Sequence, residues 1–165
     1  AGPVAMGTCR FLNVLLGFVL IPEWTWPWSL HLALVVGLYI VGVTWFARTE
    51  AQRSDPLSLK LAALTMLAAL VLALSIPTWF PPGTSSPLFP YLLVVFGFYL
   101  GVPIYRATVD PSAKKVQSAV KRCILGLVLL DAVLATAIVG TWGLVILLLL
   151  PPAWLLSRSQ WLYAT

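Results

Sequence analysis

Ten basic residues sit at alternate ends of six apolar runs, and that arrangement leaves few ways to fold the chain. The runs extend from about Met6 to Ile21, Trp28 to Phe46, Leu57 to Ile76, Leu88 to Tyr105, Val116 to Val139 and Trp142 to Leu156. The connections after the first, third and fifth runs, residues 22–27, 77–87 and 140–141, contain no Lys or Arg. Every basic residue lies at the other ends: Arg10; Arg48, Arg53 and Lys60; Arg106, Lys114, Lys115, Lys121 and Arg122; and Arg158. A hydrocarbon core of about 30 Å needs roughly 20 apolar residues per helix, and Lys and Arg concentrate on the cytoplasmic side. The pattern predicts an all-α membrane protein, a bundle of about six transmembrane helices forming one domain over residues 1–165. Both ends of the segment are expected in the cytoplasm. A barrel is excluded because the runs lack inside-out alternation.

Composition agrees. Only 9% of the 165 residues are charged and 61% are hydrophobic, with a mean hydropathy of +0.98; soluble domains carry about 25% charged residues. The formal charge of +5 is explained by topology, so no nucleic-acid partner is expected. Cys9 and Cys123 are too few for a disulfide framework and fall near the cytoplasmic side, where thiols stay reduced. The chain begins at alanine without a signal peptide, and reads as part of something longer or a processed product.

Local signals refine this outline. Trp24, Trp26, Trp28, Trp79, Phe80 and Trp142 gather on the face without Lys or Arg, as an interfacial aromatic belt would; His31 reads as a residue of the same interface. Asp110-Pro111 predicts a helix start, with Asp as the cap and Pro in the first position. Kinks are expected at Pro103 and at Pro151-Pro152. Gly97 and Gly101 have the spacing that allows close helix contact, read here as packing within the bundle.

Three constellations carry possible chemistry. Arg10 and Asn13 are three residues apart and share a helix face. Together they could bind phosphate oxygens, or the Arg could snorkel while the Asn bonds a neighbouring helix. The stretch GVTWFARTEAQRSDPLSLK, residues 42–60, collects Arg48, Glu50, Arg53, Asp55 and Lys60 between two runs. Such a cluster fits Mg²⁺ held by carboxylate, water and substrate phosphate, with Arg48 and Arg53 on diphosphate charge; it equally fits a solvated loop. Asp131 lies deep in the fifth run, where a carboxyl must be neutral, paired or beside a wet cavity. It reads either as a cavity residue or as a protonated Asp bonded to another helix. No nucleophile triad, HExxH, CxxC or glycine-rich phosphate loop is present.

The stretches AMGTCRFLNVLLG and YIVGVTWFARTEA resemble the second half of the UbiA superfamily of intramembrane prenyltransferases, in its divergent bacterial, EboC-like branch. The resemblance implies a portion of a nine-helix fold in a bacterial inner membrane, with the first acidic motif lying before Ala1. It implies transfer of an isoprenoid chain from a prenyl diphosphate to a hydrophobic acceptor, with Mg²⁺ as cofactor. Against the family's second acidic motif, Glu50 stands at the first aspartate of the DxxxD pair, Ser54 at the second, and Asp55 one residue late. Glu50 and Asp55 are thereby the implied metal residues. Arg10, Asn13, Arg48 and Arg53 become substrate contacts, with Asp131 in the cavity. The loss of one carboxylate also admits a non-catalytic carrier or scaffold for a lipidic precursor.

Overall fold

The computed structural model describes residues 2–19, 26–48, 56–79 and 86–158. Among them there is helix and no strand. The elements are α1 (Gly2–Val19), α2 (Trp26–Arg48), α3 (Pro56–Leu74), a 3₁₀ turn (Ile76–Trp79), α4 (Leu88–Val109), α5 (Ala113–Val139), a 3₁₀ segment (Gly140–Leu149) and α6 (Leu150–Arg158). Five helical stretches are long and apolar enough to cross a membrane: Gly2–Val19, Pro27–Arg48, Pro56–Thr78, Leu88–Val109 and Ala113–Ala153. This fits an integral membrane protein, and it corrects the expected count from about six to five.

The difference arises at the end of the chain. The expected sixth run does not form a long α-helix of its own. At Gly140 the backbone turns through φ 63°, a conformation glycine adopts without steric cost, and the 3₁₀ segment packs back along α5. The reversal is tight: a Cβ on Gly143 would lie 2.5 Å from the Thr136 nitrogen and 2.6 Å from the Ala135 carbonyl carbon. Ten residues of 3₁₀ helix rise about 20 Å, further than the same residues would reach as α-helix. Pro151 and Pro152 fall in the first turn of α6, where a missing N–H costs least, rather than inside a continuous helix.

α2 occupies the centre. It packs on α1, α3 and α5, and its buried residues cover more than half of its circumference: Leu32, Val36, Tyr39, Val43 and Phe46 on one stripe, Ala33, Val35 and Ile40 beside it, with Leu30 and Leu34 exposed on the remaining face. A helix without a polar face behaves so when neighbours flank it on several sides. α3 and α4 are buried on one stripe each. In α3 the stripe is Leu59, Ala62, Met66, Ala69 and Ala73; in α4 it runs through Phe89, Leu93, Phe96, Leu100, Ile104 and Ala107. Their opposite faces expose Leu64, Leu67, Val71, Tyr91, Val95 and Phe98, an apolar surface too broad for water and suited to lipid.

Glycines set the closest approaches. A Cβ on Gly7 would meet Val41 Cγ2 and, at 2.7 Å, the Gly37 carbonyl oxygen, so α1 and α2 touch backbone to backbone. A Cβ on Gly42 would lie 2.5 Å from Met66 Cγ, 3.0 Å from the Met66 nitrogen and 3.1 Å from the Ala62 oxygen. The Gly97/Gly101 pair does otherwise. A Cβ at Gly97 would meet only Leu70 Cδ1, at 3.8 Å, and one at Gly101 would meet nothing within 4 Å.

Two junctions depart from expectation. Asp110 ends α4, its N–H donating to the Arg106 carbonyl at 3.1 Å, while α5 takes Ser112 as its N-cap. The proline that follows pushes Asp110 into an extended conformation, φ −128° and ψ 92°, so it cannot lead directly into a helix. His31, half-buried, bonds through Nε2 with the Leu72 carbonyl at 3.0 Å and with Ser75 Oγ at 3.1 Å. It thus ties α2 to the end of α3, where helix carbonyls lack internal partners. Of the aromatic belt, Trp28 packs edge-on against Phe18 with ring centroids 4.8 Å apart and Trp142 is exposed. Trp24 and Phe80 lie outside the described residues.

Gly42→Leu is expected to destabilise the bundle by about 1–3 kcal/mol or more, because the neighbours it strikes include backbone. Gly101→Leu is expected to leave the melting temperature in detergent unchanged. Equal losses at the two positions contradict this packing.

Candidate functional site

Two features of the described bundle bear on function: a polar group around Tyr39 in its interior and an apolar cleft at its side. The interior group begins with Tyr39, whose ring is fully buried and whose hydroxyl donates to the Cys123 carbonyl of α5 at 2.9 Å. Phe96 packs beside it, ring centroids 6.2 Å apart. The hydroxyl fits because position 126 is glycine: a Cβ there would lie 3.1 Å from Tyr39 Oη and 3.0 Å from Leu100 Cδ2. Asp131 stands half-buried farther along α5, within electrostatic reach of Tyr39 and of the Arg10 guanidinium. Tyr39 is thus buried and Asp131 half-buried in the bundle, with the exposed Arg10 guanidinium on the flank of α1 exerting a long-range attraction on the carboxyl.

The expected site residues distribute as follows. Arg10 and Asn13 lie on one flank of α1, both exposed, beside the stripe through which Gly7 and Phe11 meet α2. Arg48 is the last residue of α2 and is exposed. Because Phe11 packs at Gly37, Arg10 stands about 16 Å along the helix pair from Arg48, and it is Asp131 that it approaches. Glu50, Arg53 and Asp55 lie outside the described residues.

No cluster of three or more His, Cys, Asp or Glu side chains able to hold a metal occurs among the described residues. The two carboxylates described, Asp110 and Asp131, are engaged separately, the former in an ion pair with Lys115. Glu50 and Asp55, the residues implied for Mg²⁺, lie outside the described residues, and no chemical step is derived through the ion.

The cleft lies between α3 and α4, which touch only sparingly. Its inner part, about 400 Å³, is lined by Met66, Leu67, Leu70, Leu100 and Ile104 and ends at Lys60, Tyr105 and Thr108. An adjoining outer part of about 560 Å³ is bordered by Val94, Phe98, Val102 and Arg106. Gly97 and Gly101 form its floor; side chains at these two positions would have filled it. Cavities of this volume suit small ligands, and this one has an apolar length, basic groups at one end, and lipid-exposed Leu64 and Leu67 at its mouth. The glycine spacing and the position of Lys60 were the available sequence signals, yet the same spacing equally describes a close helix crossing. Tyr39, buried in a continuous apolar run, gave no signal.

No family model, no curated protein and no solved structure matches the chain.

Two outcomes follow from the interior group. Tyr39→Phe should cost about 1 kcal/mol, the net worth of one hydrogen bond. In a cycle of Arg10→Met and Asp131→Asn, the two losses of detergent melting temperature should be less than additive, since the charge of Arg10 acts only on the Asp131 carboxyl. Strictly additive losses would show that the two side chains are independent.

Proposed function

We propose that the protein is a bundle that binds a phosphorylated isoprenoid-type lipid within the membrane, as part of a UbiA-like prenyltransferase. The observation that carries this reading is the α3–α4 cleft: an apolar channel of about 400 Å³ that ends at the Lys60 ammonium. Its hydrocarbon walls match a prenyl chain, and Lys60 lies at the end where the phosphorylated head would reach the interface. The resemblance of residues 5–17 and 39–51 to the prenyltransferase family supports transfer as the chemistry. Glu50 and Asp55 are then the residues to test for Mg²⁺ dependence, and Arg48 and Arg53 for diphosphate contact; Arg10 and Asn13, on the flank of α1 away from this cleft, are not expected to touch that head group.

The orientation belongs to the same proposal. The connections 22–27, 77–87 and 140–141, which lack Lys and Arg, then face away from the cytoplasm of a bacterial inner membrane, and Arg48, Lys60, Arg106, Lys114, Lys115, Lys121 and Arg122 face it.

A second reading, a carrier without catalysis, is favoured by Ser54 standing where a second carboxylate would be. Equilibrium binding and turnover separate the two. Purified protein should bind farnesyl or geranylgeranyl diphosphate, and Gly101→Leu, which fills the cleft, should weaken binding by on the order of tenfold or more. Lys60→Gln should weaken it less, by removing a single cation. Formation of a prenylated hydrophobic acceptor with release of diphosphate, requiring Mg²⁺ and lost in Glu50→Ala, supports transfer; binding without such a product supports the carrier. Unchanged binding in Gly101→Leu contradicts both.

A further inference from the structure

A second recess lies on the other flank of α4, facing α5. Arg106, near the end of α4, meets Lys115, Ser118 and Arg122 of α5 around a pocket of about 180 Å³ closed by Pro103. The convergence follows from helix geometry: Lys115, Ser118 and Arg122 are spaced i, i+3 and i+7 and share one face of α5. Lys114 and Lys121 share another, about 100° away, and do not line the pocket. Asp110 pairs with Lys115 and balances one positive charge. Arg106 and Arg122 have no ion pair among the described residues, so two guanidinium groups and a hydroxyl face one small volume without a resident anion.

Guanidinium forks and hydroxyls are the donors that phosphate oxygens accept from. The surroundings of the pocket are equally specific. Arg106 also borders the outer part of the α3–α4 cleft, beside Phe98 and Val102, and both of those side chains are largely exposed on α4. A molecule whose phosphate sat at Arg106 and Arg122 would lay its hydrocarbon along this face of α4. Basic recesses between membrane helices on the anionic leaflet bind lipid head groups by this arrangement.

We infer that the α4–α5 recess is a binding site for the phosphate of an anionic phospholipid of the surrounding leaflet, with Arg106 and Arg122 as the paired donors, Ser118 as a third, and an acyl chain against Phe98 and Val102. The site is separate from the interior group around Tyr39 and Asp131; its phosphate donors share only Arg106 with the α3–α4 cleft, and its acyl chain lies along the outer border of that cleft.

The test uses full-length protein in nanodiscs of phosphatidylcholine, with or without phosphatidylglycerol, read by native mass spectrometry for retained lipid and by thermal unfolding. The wild type should retain phosphatidylglycerol in preference to phosphatidylcholine and melt higher when it is present. Arg106→Gln/Arg122→Gln should weaken retention by on the order of tenfold, the loss of two charge-assisted contacts, while Lys114→Gln/Lys121→Gln, equal in charge, should not. If the arginine variant fails to fold, Ser118→Leu, which plugs the recess from an exposed position, should give the same loss. Equal losses in both double variants, absence of lipid preference, or retention unaffected by Ser118→Leu overturns the site. Stabilisation by inorganic phosphate in phosphatidylcholine discs equal to that by phosphatidylglycerol assigns the recess to a free anion and overturns the lipid. Farnesyl diphosphate binding should persist in Ser118→Leu, whose side chain lines the recess and not the cleft, which keeps this test distinct from that of the cleft.

Discussion

The bundle depends on how closely α2 can be approached. Within a bilayer, lipid chains are as apolar as leucine, so burial from water does not drive helices together; van der Waals packing does. Gly7, Gly37 and Gly42 supply the contact by letting α1 and α3 reach the backbone of α2. From that seam the rest is placed in turn. α2 sends Tyr39 across to α5, α5 holds α4 and the returning 3₁₀ segment, and His31 fastens the far end of α3. Where no such seam exists, between α3 and α4, the helices part and a cleft remains.

Polar groups are distributed in keeping with this division. The tightly packed side of the molecule carries Tyr39 and Asp131 in its interior, drawn from α2 and α5, with Arg10 exposed on the flank of α1. The loosely packed side carries an apolar cleft and, around its basic end, Lys60, Arg106 and the face of α5 formed by Lys115, Ser118 and Arg122. On the proposed function, an amphiphile enters the loose side laterally with its hydrocarbon in the cleft and its head among these cations.

Much of the fold was legible in the sequence because a membrane chain has few alternatives: apolar length and the placement of Lys and Arg delimit helices almost directly. The starts and ends of α2 and α4 lie within four residues of the expected runs. What was illegible depended on conformation rather than composition. Gly140 followed by an apolar run reads like a loop between two spans, and only backbone geometry reveals a one-residue reversal into 3₁₀ helix. Asp110-Pro111 reads as a cap, yet the restriction that proline imposes on the preceding residue won. The candidate site was legible in part. Asp131 was identified by its cost in lipid, but its relation to Arg10 comes from register between α1, α2 and α5. The cleft was hidden because Gly97 and Gly101 have the same spacing whether they admit a helix or leave a space.

The central claim, that the cleft between α3 and α4 receives a lipid chain, is tested most directly by mapping where a photoreactive prenyl diphosphate attaches. Illumination of the purified protein with such a probe, followed by digestion and mass spectrometry, should place label on residues 63–70 of α3 and 97–105 of α4, with competition by unlabelled farnesyl diphosphate. Label confined to α1 and α2, or spread over all lipid-facing helices without competition, would contradict the account.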